Sequence, residues 1–263
     1  MNAVTVTEGT GRVILALPHA GTAMPPAMRE NLTLLGRQMP DTDWHVDRLY
    51  EGLLPSATIV RANFSRYVID PNRPPDGVSL YPGQNSTELV PNTTFDGTPI
   101  WNSVPGSKDI SHRLQTYHAP YHRALHDQIE RVRHIHGGAV VYDCHSIRSE
   151  VPFLFEGRLP DLNIGDNRGT SCSPELTEAV AAECQKAPHY THVVNGRFRG
   201  GWTTRHYGNP DAGVHAIQME LSQRCYLDSE SPPFDYSEPR AEALRTVLKS
   251  ILRAVEETAK SIL

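Results

Sequence analysis

The stretch VVYDCHSIRS, residues 140–149, joins a run of apolar residues directly to an aspartate, a cysteine and a histidine. Strands normally give way to turn residues, so these polar groups indicate a site at the end of a buried strand. Side chains alternate between the two faces of a strand, which predicts that Asp143 and His145 share a face and that Cys144 takes the other. We therefore expect Asp143 and His145 to address a common site and Cys144 to fill space in the core.

The composition bounds the class of protein. The chain has 263 residues, 38% of them hydrophobic and 21% charged, which is enough to bury a core without disulfides or a structural metal. A net charge of −5 and a pI near 6.2 argue against nucleic acid or an anionic membrane as a partner. The N-terminal residues do not resemble a signal peptide, and the cysteines show no CxxC spacing. We expect one domain over residues 1–263 in the cytoplasm, with reduced thiols, and the sequence leaves the oligomeric state open.

Apolar runs alternate with helical patterns along the chain. Strands are predicted at residues 12–17, 57–62, 66–70, 192–194 and 214–221 and in the run that begins at residue 139. Helices are predicted at residues 25–37, 41–54 (with Asp41 and Thr42 as N-cap candidates), 109–136, 174–186 and 237–263. Residues 71–105 and 147–172 lack a regular pattern, and a loop as long as the first is usually a functional wall or lid. The order favours an α/β domain whose mostly parallel or mixed sheet has helices on both faces.

His19 and His145 each follow an apolar strand, where functional groups of α/β sheets gather. Asp43 and Asp47 lie four residues apart, so either could supply a carboxylate, and both could instead belong to a solvated helix face. Two histidines, one carboxylate and an open position for water describe a catalytic zinc site. Nine other histidines are interpreted as ordinary surface or core residues: His45, His112, His118, His122, His126, His134, His136, His189 and His192.

Two arginine clusters lie in loops rich in glycine, asparagine or proline. SRYVIDPNRPPDG (65–77) carries Arg66, Asn72 and Arg73, and NGRFRGGWTTRHYG (195–208) carries a further set: Arg197, Arg199 and Arg205. Guanidinium groups bind carboxylates through paired hydrogen bonds, and glycine lets a backbone approach a ligand closely. The clusters indicate an anionic substrate, although solvated surface arginines would look the same in sequence.

Glu220 lies in AIQMELSQ (216–223), within an apolar strand pattern. Charged residues are rarely buried unless they are paired or functional. A glutamate beside a metal-bound water is the usual general base of metal-assisted amide hydrolysis. The alternative is an edge strand that turns Glu220 towards solvent.

Together these segments resemble the N-formylglutamate amidohydrolase (deformylase) family, from about residue 12 to residue 250. The motifs that carry the resemblance are PHAGT (18–22), DTDWHVDRLY (41–50), SRYVIDPNRPPD (65–76), LYPGQN (80–85), FDGTPIW (95–101), YHAPYH (117–122), DCHSIRS (143–149), FEGRLPDLNIG (155–165), NGRFRGGWTTRHYG (195–208) and QMELSQ (218–223). Two departures, Ala20 where serine is common and Cys144 where alanine is common, remove no expected ligand.

The resemblance implies a single α/β domain similar to the zinc carboxypeptidase and aminoacylase-type hydrolases. It implies hydrolysis of N-formyl-L-glutamate to formate and L-glutamate in histidine degradation. It also implies a metal site of His19, Asp43 (favoured over Asp47) and His145, holding Zn²⁺ or another divalent ion such as Co²⁺ or Mn²⁺. Glu220 is similar to the glutamate that activates water in the carboxypeptidase-like superfamily.

Because formyl is the smallest acyl group, we expect selectivity to come from the two carboxylates of the glutamate part. Arg66, Arg73 and Arg205 rank ahead of Arg197 and Arg199 as their partners, with Asn72 in the same site. A deacylase for another N-acyl amino acid or small peptide stays open. So does a non-catalytic, metal-containing protein that binds carboxylates, although such a protein has no need of a water-activating glutamate.

Overall fold

A seven-stranded mixed sheet organises the chain, and strand β4 lies at its centre. The structure is a computed structural model that describes residues 2–80, 83 and 85–263. The strands follow the order β1-β3-β2-β4-β7-β5-β6 and have these bounds: β1 Val4–Thr7, β2 Val13–Leu17, β3 Thr58–Ala62, β4 Ala139–Ile147, β5 Leu162–Gly165, β6 His192–Val194 and β7 Val214–Ser222. The expected single α/β domain with a mixed sheet is confirmed.

The four strands in the middle of the sheet run parallel, which brings their carboxyl ends to one edge. Strand β2 pairs with β3 and with β4, and β4 pairs with β7. Ala16 lies opposite Asp143, and His145 lies opposite Glu220. Strands β1 and β5 run antiparallel to their neighbours β3 and β7. The register therefore places the ends of β2, β4 and β7 beside one another.

Helices cover both faces of the sheet. Their bounds are α1 Pro26–Glu30, α2 Val46–Tyr50, α3 Ser107–Arg113, α4 Ala119–His136, α5 Pro174–Gln185, α6 Trp202–Tyr207 and α7 Glu238–Ile262. Along β2, Leu15 packs into the cluster that α2, α5 and α7 cover, whereas Ile14 packs into the cluster on the side of α4. This alternation buries both faces, which explains why β2 reads as a continuous apolar run.

A single long helical segment spans α3 and α4. The five residues between them, Leu114–His118, form a π-helical turn, so the segment continues from Ser107 to His136. The predicted helix at 109–136 is confirmed, as is the C-terminal helix α7. Within the described ranges, helices that combine the length and the apolar character needed to cross a bilayer are absent.

Three local predictions were wrong. Residues 66–70 form turns rather than a strand, because their backbone groups bond to side chains of other elements. Only the short helix α1 and a 3₁₀ turn, Gly36–Gln38, form within residues 25–37. Helix α2 begins at Val46 after His45 in a left-handed conformation, so neither Asp41 nor Thr42 is its N-cap.

Three short elements lacked a sequence signal strong enough to predict them. Strand β1 is an edge strand whose residues are only partly buried, and β5 lies inside the stretch expected to be irregular. Helix α6 has six residues and follows the glycine pair Gly200 and Gly201. Within residues 71–105 the described residues form turns, bends and isolated bridges, as expected. Tyr81, Pro82 and Gln84 of the LYPGQN motif lie outside the described residues.

Candidate active site

His19 and His145 meet at the carboxyl ends of the neighbouring parallel strands β2 and β4. Their Nδ1 atoms are 3.2 Å apart, and both side chains are buried. The carboxylate of Asp43 joins them, with Oδ2 lying 3.3 Å from Nδ1 of His145 and 3.8 Å from Nδ1 of His19. Asp43 Oδ2 also accepts a hydrogen bond from the backbone N–H of Ser146. Three potential ligand atoms therefore converge on one point.

Each histidine has a second carboxylate on its far side. Nε2 of His19 lies 2.6 Å from Asp70 Oδ1, and Nε2 of His145 lies 3.0 Å from Asp143 Oδ2. Because an ionised carboxylate only accepts hydrogen bonds, both Nε2 atoms carry a hydrogen, and the two Nδ1 atoms face each other. This arrangement orients histidines for metal binding in other proteins.

The charges around this cluster favour a positive charge at its centre. Burial opposes ionisation of Asp43, but the two neighbouring histidines lower its pKa far below the usual range. Burial alone would lower the pKa of His145, yet the carboxylates of Asp143 and Asp43 raise it well above the usual value. A proton or a metal ion between the rings would satisfy the same demand, since either brings positive charge to the Nδ1 atoms and Asp43.

The residues present fit a divalent metal. Two nitrogen ligands about 2.0–2.1 Å from a tetrahedral zinc ion lie about 3.4 Å apart, close to the 3.2 Å between the Nδ1 atoms. Asp43 Oδ1 is buried and has no hydrogen-bond partner among the described residues, so it is available to a cation. Two imidazoles and one carboxylate form the donor set of many catalytic zinc sites.

Asp47 lies outside this cluster. Its carboxylate pairs with Arg61 at 2.5 Å, and both side chains are about one-third exposed. Cys144 is buried with Tyr142 and Val140 in the core cluster on the opposite face of β4. The structure therefore groups Asp43, rather than Asp47, with the two histidines, and it separates the Cys144 thiol from the cavity they line.

Glu220 lies on β7 directly opposite His145 and lines the cavity beside the histidine cluster. Burial raises the pKa of Glu220 to about 8, against the lowering effect of the positive charge at His145. Gln218 Nε2 donates to Glu220 Oε2 at 3.3 Å, and Gln218 Oε1 accepts from the backbone N–H of Gly201 at 2.8 Å. Only 7% of Glu220 is exposed, so the alternative in which an edge strand turns this side chain towards solvent is excluded.

The cavity contains three of the five arginines named in sequence. Among the described residues that line it are Arg66, Arg73 and Arg197, together with Asn72, but not Arg199 or Arg205. Arg205 instead donates to the carbonyls of Gly200 and Leu80, and Arg199 donates to that of Gly196. The geometry thus favours Arg197 over Arg205, the reverse of the order expected from sequence.

Arg66 is largely committed to neighbouring carboxylates. One terminal nitrogen donates to Asp70 Oδ2 at 2.7 Å, and the other lies 3.6 Å from Asp43 Oδ1. The guanidinium also lies over the Phe95 ring, 4.8 Å from its centroid. Because these contacts bind two carboxylates of the histidine cluster, Arg66 serves first to balance their charge.

Arg73 and Arg197 both bind the backbone of the lining segment 85–87. Arg73 Nε donates to Thr87 O at 2.9 Å, and Arg197 NH2 donates to Asn85 O at 3.0 Å. Asn72 is held from the other side, because its Oδ1 accepts the N–H of Thr203 at 2.8 Å. These contacts place cationic and amide groups in the wall of the cavity that also contains Glu220.

Sequence reasoning gave no role to Asp70 or Gln218. Gln218 could have been found, since it precedes Glu220 by two positions on a strand and so shares its face. The link between Asp70 and His19 had no local signal, because the two residues are 51 positions apart.

Comparisons with known proteins identify the family to which this chain is similar. Residues 11–227 match the model of the family described as N-formylglutamate amidohydrolase. A protein of Pseudomonas putida named N-formylglutamate deformylase is 42% identical over 94% of this chain and 93% of its own length. A protein of the same name from Pseudomonas aeruginosa is 44% identical over 93% of each chain. The crystal structure of N-formylglutamate amidohydrolase from Ralstonia eutropha JMP134 shares the fold, with a TM-score of 0.82, 23% identity and coverage of 100% and 98% of the two chains.

Gly201 provides a test of how tightly the cavity wall is packed. A Cβ at this position would overlap the side-chain amide of Asn72, so Gly201→Ala should lower the free energy of unfolding by about 1–3 kcal/mol. Gly106 is a matched control: it precedes α3 as Gly201 precedes α6, and its φ is −85° against −83°. A Cβ added to Gly106 would meet no heavy atom of the described residues within 4 Å.

Gly106→Ala should therefore be neutral or stabilising by up to about 1 kcal/mol. Urea denaturation measures both variants, and equal effects would contradict the close packing of Asn72 on Gly201.

Proposed function

Because the chain belongs to the N-formylglutamate amidohydrolase family, we propose that it hydrolyses N-formyl-L-glutamate to formate and L-glutamate with a divalent metal ion. The observation that carries the proposal is the convergence of His19, Asp43 and His145 in a cavity that also holds Glu220 and arginines. The expected cytoplasmic location and the place of the reaction in histidine degradation stay predictions.

His19 Nδ1, His145 Nδ1 and a carboxylate oxygen of Asp43 would hold the metal. Zn²⁺ is the ion that best matches this donor set, and Co²⁺ or Mn²⁺ are alternatives. When bound, such an ion lowers the pKa of a coordinated water and polarises a carbonyl group. Asp70 and Asp143 would keep both imidazoles in the tautomer that leaves Nδ1 unprotonated.

Glu220 would transfer the proton. It accepts a proton from the attacking water as the new C–O bond forms at the formyl carbon. It then delivers that proton to the amide nitrogen as the C–N bond breaks, which releases formate and the amine of glutamate. The raised pKa suits this shuttle, since a group with a pKa near the working pH can both accept and release a proton. Gln218 holds the carboxylate in place through its amide.

Arg73 with Asn72, and Arg197, would bind the two carboxylates of the substrate. All three residues line the cavity, and Arg73 and Asn72 are adjacent in sequence. A dicarboxylate would otherwise be repelled by the buried carboxylates of Asp43 and Glu220, so cationic partners are needed for its binding. Arg66 would contribute through its contacts with Asp70 and Asp43.

The metal ligands are tested by metal content. We expect His19→Ala and His145→Ala to lose bound zinc together with formate release, because each removes one of the three ligands. Asp43→Ala should also lose metal, whereas Asp47→Ala should keep it, because Asp47 pairs with Arg61 instead. Metal analysis of purified variants decides the matter, and full zinc occupancy in His145→Ala would refute the assignment.

The general base is tested by an isosteric change. Glu220→Gln should bind zinc normally while kcat falls by about 10²–10⁴-fold, since general acid–base catalysis contributes about that much. The effect should fall on kcat because the proton moves in the transition state. A variant with nearly wild-type kcat would show that another acid transfers the proton.

Substrate selection is tested with analogues that lack one feature. N-formylglutamine and N-formylmethionine lack the side-chain carboxylate, and each should lose about 1.5–3 kcal/mol of transition-state binding, roughly 10- to 100-fold in kcat/KM. N-acetylglutamate adds a methyl to the acyl carbon and should also be poor if the pocket fits a formyl group. The measurement is kcat/KM for these compounds and N-formylglutamate.

The same assay should identify the arginine that binds the side-chain carboxylate of the substrate. Its replacement by alanine should abolish the preference for N-formylglutamate over N-formylglutamine, rather than lower both rates equally. Arg73→Ala and Arg197→Ala are the two candidates, and Arg199→Ala, outside the described cavity lining, is the control. Equal rates for N-formylglutamate and N-formylmethionine on the wild-type protein would favour the broader deacylase.

A further inference from the structure

The segment 66–73 carries four residues of the site, yet it belongs to no strand or helix. Buried backbone carbonyls need hydrogen-bond donors, and here the helical segment of α3 and α4 supplies several of them from side chains. Arg113 donates to Val68 O at 2.9 Å. His122 Nε2 lies 2.8 Å from Pro71 O, and His118 Nε2 lies 2.9 Å from Arg73 O. One helical segment therefore holds the backbone of the site-bearing turns.

The hydrogen-bond partners of His118 and His122 show which ring nitrogen carries a hydrogen. A carbonyl oxygen only accepts, so both Nε2 atoms must carry hydrogen. The Tyr207 hydroxyl lies 2.9 Å from Nδ1 of His122 and 3.1 Å from the backbone oxygen of His122, so its one hydrogen can go to either acceptor. Burial and the neighbouring His118 lower the pKa of His122 to about 3, and burial also lowers the pKa of His118. Both rings are therefore uncharged donors at neutral pH.

The helix geometry brings both rings to the same place. His118 and His122 are four residues apart and hence on one face, with ring centroids 4.4 Å apart. The π-helical turn Leu114–His118 ends at the first of them. Such turns are rare and often mark functional sites, because they shift the side chains that follow around the helix axis.

The two carbonyls flank Asn72, which contacts several parts of the site. Its N–H donates to Asp70 Oδ1 at 2.8 Å, its Oδ1 accepts from Thr203, and its Nδ2 lies 3.1 Å from His145 Nε2. Since Asp143 accepts the hydrogen of that Nε2, the Asn72 amide packs against the ring rather than bonding to it. Small rotations of the backbone at Pro71 or Arg73 would therefore move a side chain that touches the histidine cluster.

We propose that His118 and His122 are positioning residues of this site, which hold the carbonyls of Arg73 and Pro71 so that Asn72 and Arg73 face the substrate. This proposal rests on the proposed function and goes beyond the expectation that both histidines are ordinary core or surface residues. Neither residue lines the described cavity, so each acts through the backbone of the turn rather than on the reacting atoms. The proposed role requires a hydrogen-bond donor at the position of Nε2, and any side chain that places a donor there should serve.

The test replaces each histidine by residues that differ in the reach of their donor. His122→Phe fills the space without a donor, His122→Asn has an amide that is too short, and His122→Gln places an amide nitrogen near the position of Nε2. We expect kcat/KM for N-formylglutamate to fall about 10- to 100-fold in the Phe and Asn variants, as for other small misplacements of a binding group, and to recover largely in the Gln variant. The same series at His118 should behave alike. His126→Phe, one turn further along α4 and exposed, is the control and should have no effect.

Two further measurements separate positioning from general damage. Zinc content should stay at the wild-type level in every variant, because His19, Asp43 and His145 are untouched. Hydrogen exchange of the Asn72 and Arg73 amides, both of which bond to Asp70, should quicken in the Phe and Asn variants and not in the Gln variant. If His122→Phe fails to fold, the comparison of His122→Asn with His122→Gln still tests whether a donor at this position is needed.

The outcomes distinguish this proposal from the function on which it rests. A wild-type protein that binds zinc but releases no formate refutes the proposed function, and the exchange measurement then tests the positioning alone. Unchanged exchange at Asn72 and Arg73 in His122→Phe overturns the positioning proposal. So does equal loss of activity in the Gln and Asn variants, or a loss in His126→Phe as large as in His122→Phe.

Discussion

The carboxylate of Asp70 is the constraint on which the site depends. It is fully buried, and it accepts hydrogen bonds from His19 Nε2, from the N–H of Asn72 and from the Arg66 guanidinium. Burial alone would raise its pKa, but the positive charge of His19, Arg66 and Arg73 lowers it well below the usual range. One carboxylate therefore contacts both His19 and the turn that carries Asn72 and Arg73, and so links the two halves of the site.

The cluster concentrates negative charge in buried surroundings. The carboxylates of Asp43, Asp70, Asp143 and Glu220 are all largely buried, and isolated ions are very unfavourable in such surroundings. Arg66 compensates part of this charge directly. A metal ion at the Nδ1 atoms would compensate more, and its binding free energy would then contribute to the stability of the folded chain. Under the proposed function, the groups that would hold the metal would thus also gain stability from it.

Histidine takes two opposite roles within a short distance. His145 lies between carboxylates, which raise its pKa, so it attracts positive charge. His122 lies in a buried environment beside another imidazole and is held neutral, so it works as a fixed hydrogen-bond donor. The side chains are chemically identical, and the charges and the burial around each ring account for the opposite directions in which their pKa values are shifted.

The sequence by itself determined the features that depend on local pattern. The apolar run before His19 located the end of β2, DCHS lies in the last part of β4, and alternation along β4 separated Asp143 and His145 from Cys144. Alternation also makes Gln218 and Glu220 neighbours on one face. The motifs that carry the family resemblance are each short and follow one another in the expected order along the chain. They could therefore indicate the fold and the residue types expected to bind a metal.

Only the tertiary structure decided which of these residues meet. His19 and His145 are 126 positions apart, and no short-range pattern encodes the pairing of β2 with β4 or the register that sets His145 against Glu220. Residues 66–70 resemble a strand in sequence, but the donors to the carbonyls of Tyr67 and Val68 come from the side chain of Arg113, which is about 45 positions away in the chain. The choice of Arg197 over Arg205 likewise depends on where the loops close around the cavity. Long-range contacts of this kind are fixed by packing and charge in the folded chain, and local sequence preference cannot specify them.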